Sequence, residues 1–171
     1  MKNKKRVCLL LLSIIMAICI LVVCTSCKTD SSSESTGSNS GDGDTVNRFY
    51  NTVKESQENL DIIADTYYEY WYKAIYKDSY NSDINVALLM ASYECKDEIN
   101  KVKGNDELIS IYFATAKKTR CQNQVKEVMT AYSEYYEFVI NVSGSFSSYS
   151  RDKEIKKKAL ATALRNLQYE L

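Results

Sequence analysis

From Val46 onward, apolar residues recur at alternating steps of three and four: Val46, Phe49, Val53, Leu60, Ile63, Tyr67, Tyr70 and Ala74, with one polar gap at Ser56. That period lines them along one side of a helix and predicts a long amphipathic helix ending near Lys77. Asp78, Ser79, Tyr80, Asn81 and Ser82 then supply turn chemistry. A second helix is predicted from an Asp83 or Ser82 cap, with Ile84, Leu88, Ala91, Cys95 and Val102 on one side, and Gly104-Asn105 stops it as a C-terminal glycine would. A third helical region starts at an Asn105 or Asp106 cap and runs to about Val142, carrying Val125, Val128, Tyr132, Tyr135, Val139 and Val142. Residues 143–150 read as a Gly/Ser loop, and a final helix from about Arg151 holds Ile155, Ala159, Leu160, Leu164, Leu167 and Leu171.

These seams predict an all-α fold, an antiparallel four-helix bundle with coiled-coil-like packing. Length complicates it: at helical rise the third region would be about 55 Å long and the second only about 30 Å. A compact bundle calls for a kink or break in the third helix, placed near residues 117–123 where the apolar pattern lapses. Upstream of that point Leu108, Ile109, Ile111, Tyr112 and Phe113 point nearly all round the helix.

The first 27 residues follow a different pattern. Lys2, Lys4, Lys5 and Arg6 precede an apolar run over residues 7–23, which closes on Cys24-Thr25-Ser26-Cys27. A positive start, an apolar core and small residues at its end are the parts of a secretory signal. The end of the core resembles the bacterial lipoprotein signal, in which an apolar residue and two small residues precede the cysteine that receives the lipid. The resemblance implies lipidation of Cys27 and attachment to the extracytoplasmic face of the cell membrane, and it transfers no activity. Cys24 stands where the family usually has leucine, and bulky Val23 before Cys24 makes that residue the poorer acceptor.

The organisation expected is therefore a signal peptide (1–26), a lipid-bearing cysteine with a Ser/Gly/Asp tether (27–45), and one helical domain (46–171). The tether has no large apolar residue with which to offset its ordering entropy, and its root-mean-square reach is about 25 Å. Abundant Lys, Asn and Tyr without any proline suggest an AT-rich genome, which together with the signal points to a Gram-positive bacterium.

Charge and composition then remove function classes. The whole chain has 22 basic and 22 acidic side chains. The signal holds four of the basic ones and none of the acidic, so the remainder is mildly acidic and offers nucleic acid no clustered basic surface. Histidine is absent, which excludes Ser-His-Asp and Cys-His catalysis and His-containing metal sites. Neither catalytic residues, nor a metal site, nor a cofactor is expected, and the chain reads as non-enzymatic.

Two features remain as candidate chemistry. Cys95 and Cys121 are the cysteines left after the signal and the anchor, and they form either a disulfide or two buried thiols. In a hairpin turning at Gly104 they would lie roughly 12 Å out of level, beyond the reach of a bridge. The other feature is aromatic. Tyr67, Tyr70 and Trp71 belong to the apolar seam, whereas Tyr68, Tyr72, Tyr76 and Tyr80 form an i, i+4 ladder on a face that carries charge earlier in the helix. That ladder either packs on a neighbouring element or forms a surface for a protein or a wall sugar, since tyrosine offers large apolar area and a polar tip. The run Arg151, Lys153, Lys156, Lys157 and Lys158, set against Asp152 and Glu154, reads as a solvated helical face or a contact for anionic lipid or wall polymer.

The functional expectation is a lipid-anchored, extracytoplasmic helical domain acting through protein contacts at the cell surface. The alternative is a lipid-anchored binding module for a wall glycan or small molecule. A deep aromatic pocket would favour the module, and a shallow aromatic patch would favour protein contact.

Overall fold

The computed structural model describes residues 40–171. The signal, Cys27 and most of the stretch assigned to the tether lie outside the described residues. Within them the protein is all-helical, with five α-helices and no strand: α1 (Ser40–Tyr76), α2 (Ile84–Glu94), α3 (Lys96–Ala116), α4 (Gln122–Ile140) and α5 (Phe146–Gln168). None of these helices is long and apolar enough to cross a membrane.

Helix α1 begins at Ser40, ahead of Val46, and so takes in the end of the stretch 27–45; Asp44 and Arg48 pair one turn apart at 3.0 Å there. Its seam is buried from Val46 through Phe49, Val53, Leu60, Ile63, Tyr67 and Trp71. The polar gap is buried as well, because the Ser56 hydroxyl donates to the Tyr132 hydroxyl of α4 at 3.4 Å. The helix ends at Tyr76, and Asp78, Tyr80, Asn81 and Ser82 then adopt left-handed backbone (φ 48°, 59°, 53° and 57°). Left-handed residues other than glycine cost roughly 1–2 kcal/mol each, so the reversal into α2 is a strained one. Asp83 caps α2, its carboxylate accepting from the backbone N–H groups of Asn85 (2.8 Å) and Val86 (3.2 Å).

The sequence places the end of the second helix at Gly104-Asn105, and there the structure differs. Gly104 lies inside α3 on its exposed side, and a Cβ added to it would meet nothing within 4 Å. The helix continues because Val102, Ile109 and Ala116 are buried at steps of seven through that point, and burial on both sides outweighs the weak stop signal of one glycine. The break occurs instead at Cys95 (φ −100°, ψ 26°), whose thiol donates back to the Ala91 carbonyl at 3.0 Å, a contact of the kind that bends helices. The third helical region, expected from 105 to about 142 with a kink or break near 117–123, is divided between α3 and α4, with residues 117–121 between them, and α3 itself begins at Lys96. Gly104→Ala is expected to stabilise the protein by about 1 kcal/mol and raise its thermal midpoint by about 3–6 °C. A lowered midpoint would mean that the position is not an ordinary helical one.

Helix α5 also starts earlier than the pattern suggests. Ser145 caps it in a capping box: its hydroxyl accepts from the Ser148 N–H at 3.2 Å, and the Ser148 hydroxyl receives the Ser145 N–H at 3.0 Å. The earlier start turns Tyr149, Lys153, Leu160, Leu164 and Leu167 inward and leaves Ile155 exposed. Helix α1 packs against each of the other four. Phe49 meets Phe113 of α3 at 6.1 Å, Tyr135 of α4 donates to Asp61 at 2.7 Å, and Lys153 of α5 pairs with Asp65 at 2.6 Å. The core lies along this α1 seam.

Candidate functional site

The aromatic residues at the end of α1 divide according to what the chain does after Tyr76. Tyr68, Tyr72 and Tyr76 keep their i, i+4 ladder, with ring centroids 6.4 Å and then 5.0 Å apart. Tyr80 leaves it, because the left-handed reversal carries its ring across to stack on Tyr70 at 5.5 Å. The four-tyrosine ladder expected from periodicity is therefore a ladder of three; helical spacing does not extend past a residue that ends the helix.

Phe146, the first residue of α5, sits against this ladder. Its ring lies 5.1 Å from Tyr68, 6.2 Å from Tyr72, 5.9 Å from Tyr76 and 6.1 Å from Trp71. The Ser145 cap fixes the position of Phe146, so a short polar motif sets the height at which the aromatic face is covered. Tyr68 is half-buried beneath it, with the Lys153 ammonium 4.6 Å from its ring centre. Tyr72 and Tyr76 stay open, at 37% and 60% exposure. The ladder is thus divided: Tyr68 packs beneath Phe146, while Tyr72 and Tyr76 touch Phe146 and keep exposed surface.

Beneath the patch the packing is dense. Trp71 is buried against Tyr149 at 5.6 Å, and Tyr149 stacks on Phe138 of α4 at 4.8 Å. The Trp71 indole N–H has no hydrogen-bond partner among the described residues. Alongside runs a polar seam. Asp61 accepts from the Tyr135 hydroxyl at 2.7 Å and pairs with Lys157 at 3.1 Å, while Asp65 holds Lys153. Burial pushes the Lys153 ammonium down, but the hydrogen bond and charge of Asp65 outweigh it, leaving the group above its ordinary range. The basic run of α5 is therefore partly engaged: Lys153 and Lys157 reach α1, and Lys156 reaches Glu134 of α4 at 3.4 Å.

The Cys95–Cys121 bridge is not formed. Both thiols are free and buried. Cys95 follows the last turn of α2, where burial pushes its thiol up to about 11; Cys121 precedes α4, its sulfur 3.9 Å from the Glu170 carbonyl. Because α3 runs on through Gly104, the two residues flank the full length of that helix instead of facing one another across a hairpin.

A cavity of about 370 Å³ lies between the start of α1, the 117–121 turn and the C-terminus, lined by Val46, Asn47, Thr119, Arg120, Cys121 and Glu170 among others. An open groove runs beside α4 at Glu134, Glu137 and Asn141. The tyrosine ladder lines neither of them. No group of three or more Cys, Asp or Glu among the described residues could hold a metal ion.

Phe146 and the burial of Lys153 are the parts of the site that periodicity misses. The signal for both was present in the Ser145-to-Ser148 spacing, which starts α5 one and a half turns early. Compared with protein-family models, curated proteins and solved structures, the chain matches none.

Proposed function

We propose that this protein is a non-enzymatic, lipid-anchored, extracytoplasmic domain that acts through protein contacts at the cell surface. In this reading Cys27 carries the lipid and the tether follows it. The folded part is an antiparallel bundle of four stems: α1, α2 with α3, α4, and α5. Supporting the stem arrangement, Phe49 meets Phe113 while Tyr70 meets Tyr80, so the chain returns along α1 after the reversal.

The observation that carries the protein-contact reading is the patch of Tyr72 and Tyr76, exposed and seated on Phe146. Tyrosine on a rigid base loses little entropy on binding and combines apolar area with a hydrogen-bonding tip. The test is photo-crosslinking on intact cells, with the wild-type chain compared with a Tyr72→Ser, Tyr76→Ser double variant. The expected result is a protein adduct that disappears in the double variant while thermal unfolding stays close to wild type. Absence of any protein adduct above a mock control, with wall fragments recovered on the same patch, would replace this reading with a glycan-binding module.

A further inference from the structure

Helix α2 is built inside out. Between Asp83 and Glu94 it has no charged residue. The side it buries carries small residues, Ala87 and Ala91, with Leu88 packed beside them, whereas most of its large apolar residues face solvent. Val86, Leu89, Met90 and Tyr93 are 43%, 55%, 45% and 66% exposed. Their spacing of three, four and seven is the stripe a helix presents to a partner helix, and an apolar patch of this kind on a folded domain marks an interaction site.

The charges around the stripe restrict what covers it. Residues 78–98 contain Asp78, Asp83, Glu94, Asp97 and Glu98 against the single base Lys96. None of the ion pairs among the described residues engages these five carboxylates, whereas in α1, where residues 55–72 hold five acids and no base, Asp61, Asp65 and Glu69 are paired with lysines. An anionic bilayer would be repelled by this rim, and a second copy would bring the same acidic rim against itself. We propose that the outer face of α2 docks an amphipathic helix of another protein, whose apolar stripe is flanked by lysine or arginine. The proposal rests on the protein-contact reading and adds to it a second surface, separate from Tyr72 and Tyr76. Met90 suits such a site because its flexible thioether adapts to the side chains laid against it.

The test uses the full chain in nanodiscs of zwitterionic lipid and two fluorescent synthetic helical peptides sharing one leucine stripe, flanked by lysine in one and by glutamate in the other. The lysine-flanked peptide is expected to bind at least about tenfold more tightly, with an affinity that falls as salt rises. Leu89→Ser with Met90→Ser should abolish that preference while circular dichroism and thermal unfolding stay unchanged, and Tyr72→Ser with Tyr76→Ser should leave it intact. Equal binding of the two peptides, binding that survives the α2 substitutions, or a face covered by lipid or by a second copy would each overturn the proposal. A cell-surface crosslink that persists in the α2 variant and disappears in the tyrosine variant would remove the α2 site and leave the protein-contact reading standing. Loss of every crosslink in the wild-type chain would be the failure of that reading itself.

Discussion

Tyr149→Ala lowers the stability of the folded domain by about 3–5 kcal/mol, the range for deleting a buried aromatic ring. The ring is buried between Trp71 of α1 and Phe138 of α4, and its hydroxyl donates to the Ala64 carbonyl at 3.3 Å. One side chain of α5 thereby joins three helices. Against a total of roughly 5–15 kcal/mol for a domain of this size, such a loss leaves the fold marginal. Tyr149→Phe keeps the ring and removes one hydrogen bond, so its cost is only about 0.5–1.5 kcal/mol. Urea unfolding of both variants measures the difference, through a shifted midpoint at unchanged slope. Equal losses for Ala and Phe would mean that the hydroxyl, and not the ring, holds this junction.

The second large effect is alkaline unfolding. Burial pushes the hydroxyls of Tyr132, Tyr135 and Tyr149 above the ordinary 10.0; Asp61, as hydrogen-bond acceptor, raises Tyr135 further, while Ser56 draws Tyr132 slightly back. Burial likewise moves the Cys95 thiol from 9.0 up to about 11. In each case the folded state holds the proton more tightly than the unfolded chain. The stabilisation is complete below pH 9 and is lost as pH rises, first between 9 and 11 through Cys95 and then through the tyrosines. Tyrosinate absorbance and far-ultraviolet circular dichroism, followed together against pH, should show buried tyrosines ionising in the same cooperative step that melts the helices. Cys95→Ala should move the onset up toward pH 10. A smooth titration of every tyrosine with the helices intact would contradict the burial described above.

The elements legible from sequence are those where the apolar period is long and undisturbed. The seam from Val46 to Trp71 and that from Val125 to Val139 are both buried, because each turn adds another apolar residue and local propensity agrees with burial. The departures occur where a local signal competes with a longer pattern. Gly104 is a stop signal on its own, but Cys95, Val102, Ile109 and Ala116 repeat every seven residues across it, and that repeat was the stronger cue. Residues 143–150 look like a loop by composition, although two of their serines, Ser145 and Ser148, are the halves of a capping box. The break at Cys95 had no sequence signal, since a thiol bonding back to its own helix leaves no trace in an apolar pattern. The exposed face of α2 was hidden because Ile84, Val86, Leu88, Leu89 and Met90 are apolar on every side, and only the packed fold shows that Ala87 joins Ala91 inside while Ile84, expected on the buried side, is exposed.

The contact of α1 with each of the other four helices also orders events in time. Helix α1 is the first part of the domain to be made, and the last of its partners, α5, is made at the end. The part of its apolar stripe that α5 covers, around Ala64 and Trp71, therefore waits open until α5 has been made. The core is consequently completed late. The waiting interval is when a holding chaperone would find the chain open along its longest helix, so the helix that organises the finished domain is also what keeps the nascent chain unfinished longest.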